Sequence, residues 1–231
     1  MAINVDTVYR TVLLIINKEQ RGYITPDEFN KTATQVQLEI FNEYFESLNQ
    51  QIRVPDNDTE YSDRVKNLQQ KIAIFQTDGA CLPTVGGFSV PAVTDFYKLG
   101  TVIYNDDKEI QYVQPNELLE LNLSPITKPS QYWPVYTFKD FIIKVYPTTI
   151  TSGITCTYVR KPANPVWNFT LGTNYQYIYN PLTSVDFELH PIEQTNLVTK
   201  ILLYSGVVIK DPQIIQIAAQ QAQNETINSK S

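Results

Sequence analysis

Histidine and methionine occur once each in this chain of 231 residues, cysteine twice and glycine eight times, and each scarcity closes off a class of function. Cys81 and Cys156 are far apart and form no C-x-x-C pair, so the expectation is two buried thiols in a reducing compartment, with no disulfide framework. Eight glycines leave little room for a phosphate cradle, and no G-x-S-x-G, G-x-x-x-x-G-K-[ST] or G-x-G-x-x-G pattern occurs. His190 has only Glu193 nearby and stands before a proline, so it reads as a helix-start residue; zinc or a catalytic triad would need further partners. No run approaches the ~20 apolar residues of a membrane span. The longest early run, 12–16, is already preceded by Asp6 and Arg10, and nothing resembles a signal peptide or anchor.

Basic clusters are missing too. The net charge of −6 divides as −4 over 1–80 (8 basic, 12 acidic), −2 over 81–190 (7 and 9) and 0 over 191–231 (3 and 3). A protein that grips DNA needs grouped lysines and arginines to displace counterions, so this balance excludes grip but permits DNA to slide past. What the chain has in abundance is 17 Asn, 18 Gln and 15 Tyr, uncharged polar and aromatic side chains suited to interfaces.

Helical spacing opens the chain. Val5, Val8, Val12, Ile15 and Ile16 predict a helix over 5–16, capped by Asn4 or Asp6 and ended by Gly22. Thr25, Pro26, Asp27 and Glu28 form a capping box with proline at the first helical position. Phe29, Ala33, Val36, Ile40 and Tyr44 then carry an apolar face, widened by Phe41, Phe45 and Leu48, to about Leu48. A polar loop at 53–60 precedes a third helix through Val65, Leu68 and Ile72.

From about residue 81 the pattern turns to strands, at 96–104, 109–113, 132–138, 141–146 and 155–160, with tight turns at 105–108 and 139–140 and a helical turn at 115–121. Segment 162–184 carries Trp167, Phe169, Tyr175, Tyr177 and Tyr179 and reads as an aromatic loop or hairpin arm. Two closing helices are expected at 191–205, stopped by Gly206, and at 211–224, opened by Asp211 and Pro212. The predicted class is α+β: a helical bundle from 1–80 and 185–231, with a small antiparallel β-domain and its Tyr-rich arm inserted at 81–184.

Candidate chemistry is sparse. Glu39, Glu43 and Glu46 share a helix face, read as a solvated face because no other acidic cluster completes a site. Asp56, Asp58 and Glu60 alternate as in a calcium loop, but Tyr61 and Asn67 stand at its glycine and glutamate positions. No catalytic, metal or cofactor residues are assigned and no enzyme activity is expected. Tyr132, Trp133, Trp167, Tyr175, Tyr177 and Tyr179, together with Ile214 and Ile217 of the last helix, are the expected interface residues.

Six segments resemble one family: 4–13 (NVDTVYRTVL), 18–30 (KEQRGYITPDEFN), 131–135 (QYWPV), 158–167 (YVRKPANPVW), 186–194 (DFELHPIEQ) and 200–212 (KILLYSGVVIKDP). They are similar to head-to-tail connector ring proteins of crAss-like podoviruses and, more distantly, to the tail tubular protein A adaptor family. The resemblance implies a virion protein made in the bacterial cytoplasm. About a dozen copies would close a ring by head-to-tail contacts between two different surfaces. Its implied partners are the portal, neighbouring tail rings and genomic DNA passing through the lumen; no catalytic residue is implied. The alternatives are a peripheral ring or tail-fibre dock, and a carbohydrate- or nucleic-acid-binding module.

Overall fold

The structure is a computed structural model that describes residues 2–18, 23–53, 59–91 and 93–209, with the isolated positions 216, 220 and 223. The fold is mixed helix and strand and divides into two units, Met1–Ile74 with Pro162–Ser231, and Phe75–Lys161. The aromatic segment 162–184 therefore groups with the helices, not with the β-rich insert. Gly22, most of the 53–60 loop and the 211–224 segment lie outside the described residues, apart from those isolated positions.

In the helical unit, α1 (Val5–Lys18), α2 (Pro26–Arg53), α3 (Thr59–Ala73) and α5 (Gln194–Ile209) bury most of the apolar positions that the spacing marks, but Ile15 of α1 is exposed and Phe45, Leu48, Val65 and Leu68 are only half-buried. Val5, Val8, Val12 and Ile16 of α1 and Phe29, Ala33, Val36, Ile40 and Tyr44 of α2 are all buried, as are Leu197 and Ile201 of α5. Asn4 caps α1, its Oδ1 accepting from the Thr7 amide at 3.0 Å, which releases Asp6 for another use. The capping box of α2 is complete: the Thr25 amide donates to Glu28 Oε2 at 2.9 Å, and the Glu28 amide donates to Thr25 Oγ1 at 3.3 Å. The Thr25 amide and hydroxyl both donate to Glu28 Oε2 and hold that carboxyl below its ordinary value.

Gly206 does not stop the last helix. It is buried within α5, which runs to Ile209. Glycine in a helix interior costs about 1 kcal/mol, an amount that burial of one well-packed face offsets. His190 caps the short 3-10 turn Pro191–Glu193, its Nδ1 accepting from the Ile192 amide at 3.3 Å.

The acidic face of α2 is not simply solvated. Lys200 of α5 is buried, and its Nζ donates to Glu39 at 2.7 Å and Glu43 at 2.5 Å, while the Tyr204 hydroxyl donates to Glu39 Oε2 at 3.0 Å. Burial alone would lower the Lys200 ammonium, but the bonds to Glu39 and Glu43 outweigh it and hold the group above its ordinary value. A second pair joins Lys71 of α3 to Glu193 at 2.5 Å.

The β-unit is larger than the sequence suggests. Its strands are β1 (Gln76–Ala80), β2 (Leu82–Thr84), β3 (Gly87–Ser89), β4 (Phe96–Tyr104), β5 (Lys108–Tyr112), β6 (Val135–Lys139), β7 (Ile142–Tyr146) and β8 (Ile154–Arg160). Among the described residues they form one eight-stranded sheet in the order β1-β8-β4-β5-β6-β7-β3-β2. All neighbours pair antiparallel except β5 and β6, which are parallel because the chain returns through α4 (Pro115–Leu123) to start β6 in the same direction. The expectation of a small antiparallel domain is thus corrected in both size and pairing.

The edge strands β1 and β2 are consecutive, separated by Cys81 alone, so their near ends lie within about 7.6 Å of each other. The sheet must therefore curl toward a barrel. Its interior is filled by Phe88, Val102, Ile110, Ile143, Ile154 and Cys156, among others. Cys81 and Cys156 are free, buried thiols with sulfurs 3.1 Å apart. The hydrogen bond to Cys81, with burial, holds the Cys156 thiol well above the usual range.

Two tight turns have the positive-φ pairs of hairpins, Asn105 with Asp106 (51° and 56°) and Asp140 with Phe141 (52° and 61°). The strand expected from residue 132 begins only at Val135, because Pro134 has no amide to give to a ladder.

Replacing Lys200 with Met is expected to lower stability by about 1.5 kcal/mol at neutral pH, a figure discounted for the partial exposure of both carboxylates. The folded-state ammonium value lies above the unfolded one. Its contribution is therefore complete below about pH 10 and is lost as the pH rises through the folded value. Urea unfolding of the two proteins should show the gap narrowing as the pH enters that alkaline range.

Candidate functional site

The expected interface aromatics fall into two groups, one in each unit. In the helical unit the chain returning at Pro162 lies along α2, where side-chain amides satisfy its backbone. The Asn30 Oδ1 accepts from the Trp167 amide at 2.8 Å and its Nδ2 donates to the Trp167 carbonyl at 3.2 Å. Seven residues on, buried Gln37 donates to the Ala163 carbonyl at 2.7 Å and accepts from the Glu188 amide at 3.1 Å. Trp167 is thereby driven into the core, only 4% exposed, where its Nε1 donates to Asp6 Oδ1 at 3.0 Å. Its ring centroid lies 4.4 Å from that of Tyr9. Trp167 is therefore a core residue and not the interface residue that the sequence suggests: an indole this large buries readily once its N–H has a partner.

Beyond Trp167 the chain forms a two-stranded ribbon, β9 (Phe169–Leu171) with β10 (Tyr177–Tyr179). Phe169 and Tyr179 stack on the Trp167 indole, each 5.9 Å away between centroids. The turn between the strands is fixed by the Gly172 amide donating to the Gln176 carbonyl at 2.9 Å and the Tyr175 amide donating to the Gly172 carbonyl at 3.0 Å. Tyr175 takes a φ of +57°, uncommon for a bulky side chain, and is 85% exposed.

The ribbon and α1 line a cavity of about 490 Å³. From α1 come Asp6, Tyr9, Arg10 and Leu13, whose three-and-four spacing puts them on one helical face. Trp167, Tyr175, Gln176, Tyr177 and Tyr179 line the rest, with Tyr23 from the segment before α2. Asp6 has a double role, since its Oδ2 also accepts from Arg10 Nε at 2.8 Å. The Tyr9 hydroxyl donates to the Ile24 carbonyl at 3.3 Å, and burial, with a hydrogen bond to Tyr23, pushes its ionisation above the ordinary value. The sequence reading found the ribbon's tyrosines but missed the α1 half of the cavity. The spacing of Asp6, Arg10 and Leu13 was the available signal, yet nothing local links it to residues 160 positions away.

In the β-unit, Tyr132 and Trp133 are 77% and 81% exposed. The Trp133 amide and the Ser130 carbonyl close one bond of the loop at 3.2 Å, and Lys108 Nζ stands 5.1 Å from the Tyr132 ring centroid, within cation–π range. Leu119 and Leu123, four apart on α4, and Ile126 after it are also strongly exposed, whereas Leu118 turns inward onto Val113 and Val135. Ile214 and Ile217 lie outside the described residues, as do Asp56 and Asp58. Among the described residues, no group of three or more His, Cys, Asp or Glu could hold a metal ion, and no helix is long and apolar enough to cross a membrane.

Compared with known proteins, the chain matches no protein-family model and no curated protein sequence.

Trp167→Ala is expected to destabilise the protein by about 4 kcal/mol, the loss typical of a large buried aromatic, while Tyr175→Ala should stay within about 0.5 kcal/mol of the parent. Chemical denaturation of the two variants checks the difference.

Proposed function

We propose that the chain is a structural, non-enzymatic subunit of an oligomeric ring in the portal-to-tail connector of a tailed bacteriophage. The observation that carries the reading is the chain order: one helical unit assembled from both chain ends, with a β-unit inserted at Phe75–Lys161. The resemblance of six segments to connector ring proteins implies the same order. In this reading α1, α2, α3 and α5 act as the bundle that makes ring contacts, and the inserted β-unit meets neighbouring tail components.

The exposed apolar side chains of Leu119, Leu123, Ile126, Tyr132 and Trp133 suit burial in such a contact, since large apolar groups gathered on one stretch gain from leaving water. The net charge of −6 suits a lumen wall past which DNA moves without sticking.

Light scattering and electron-microscope imaging of the purified protein, alone and mixed with its portal assembly, test the reading. Uniform rings of about a dozen copies are expected. The double variant Leu119→Asp/Leu123→Asp is expected to fold with an unchanged melting temperature and to bind tail components at least tenfold more weakly. A chain that stays monomeric and indifferent to the portal overturns the connector reading and favours a peripheral dock.

A further inference from the structure

The cavity between α1 and the β9–β10 ribbon has a lining that is unusual for surface left over from core packing. Trp167 and Phe169 already complete the aromatic core there, yet Tyr23, Tyr175 and Tyr177 surround the same space while remaining 52%, 85% and 45% exposed. At about 490 Å³ the cavity falls within the range of small-ligand sites. Tyr175 holds its uncommon backbone conformation because two turn hydrogen bonds impose it, and such enforced conformations gather at binding sites.

Charge narrows the ligand class. Asp6 and Arg10 are the charged residues of the lining and they neutralise each other at 2.8 Å, so neither an anion nor a cation gains a net attraction. Nucleic acid would need a group of unpaired basic residues to meet its phosphates. A cation over aromatic faces would meet the Arg10 guanidinium, whose side chain is 73% exposed. What the lining does supply is flat apolar ring faces, the guanidinium of Arg10, the Gln176 amide and tyrosine hydroxyls, donors and acceptors in one place. A pyranose ring matches both, with C–H faces for the tyrosines and hydroxyls for the polar groups.

We propose that this cavity is a binding site for a small neutral saccharide, stacked on Tyr175 and Tyr177 and hydrogen-bonded by Arg10 and Gln176. The lining belongs to a single chain, so binding is expected of the monomer whether or not the chain enters a ring.

The experiment uses the full chain carrying Trp133→Phe, which leaves Trp167 as its sole tryptophan and a reporter in the cavity wall. Fluorescence titrations with maltohexaose, cellohexaose, chitohexaose and a mannose hexasaccharide should give a saturable change with at least one of them, insensitive to added salt. Adding Tyr175→Ala should weaken that binding roughly tenfold or more, as loss of one stacking platform does, and adding Tyr132→Ala should leave it unchanged. The proposal is overturned by no saturable response to any of the four. It is equally overturned if binding is undiminished in both the Tyr175→Ala and the Tyr177→Ala proteins, or if the response is confined to oligothymidylate or to a lysine-rich peptide.

Discussion

Two side-chain amides on α2, Asn30 and Gln37, hold the returning chain to the helices that it left at Ile74. Backbone amides and carbonyls laid against a helix cannot bond to the helix ladder, which is already complete, so a segment crossing its surface must find side-chain partners or stay in water. Asn and Gln offer a donor and an acceptor on one group and can satisfy an N–H and a C=O together. Each of these two residues does so. With 162–190 fixed in this way, Trp167 meets Asp6, the ribbon lies beside α1, and Ile3 bridges to Phe187 at 3.1 and 3.0 Å. The closing helix then begins where Lys200 can reach Glu39 and Glu43.

What the sequence discloses of this fold is its local part. The capping box at Thr25–Glu28, the buried stripe of α2 and the two hairpin turns follow from neighbouring residues, and each stands close to its expected place. What it hides depends on distant partners. Residues 76–80 fall within the helical body that the sequence predicts, because Gln76, Thr77 and Asp78 carry no apolar alternation; they form strand β1 because β8 lies ready to pair with it. Glu39 and Glu43 resemble a solvated face until Lys200, about 160 residues later, is brought to them. The site is divided in the same way. Its tyrosines are conspicuous in 162–184, but whether an aromatic there is core or surface is decided by Asp6 and Asn30, which no local pattern connects to Trp167.

The aromatic richness of the chain therefore serves two ends. Trp167, Tyr9 and Phe169 anchor the helical unit, and a hydrogen-bond partner inside the core separates the first two from their exposed neighbours. Tyr132 and Trp133 stand outside the sheet because Pro134 delays the strand, so one missing amide places two large rings on the surface. The proposed ring contact and the proposed saccharide site would both draw on one property of tyrosine and tryptophan, a large rigid face with a polar edge.

The continuity of β1 and β2 through Cys81 also bears on how copies of the chain can crowd together. An open sheet of eight strands would present two bare flanks, each able to recruit another chain and seed runaway cross-β growth. Here both flanks are cut from one bent run, and they are only five and three residues long. The flanks of this sheet therefore offer little backbone for a further strand to pair with, which removes one route to cross-β growth from the β-unit.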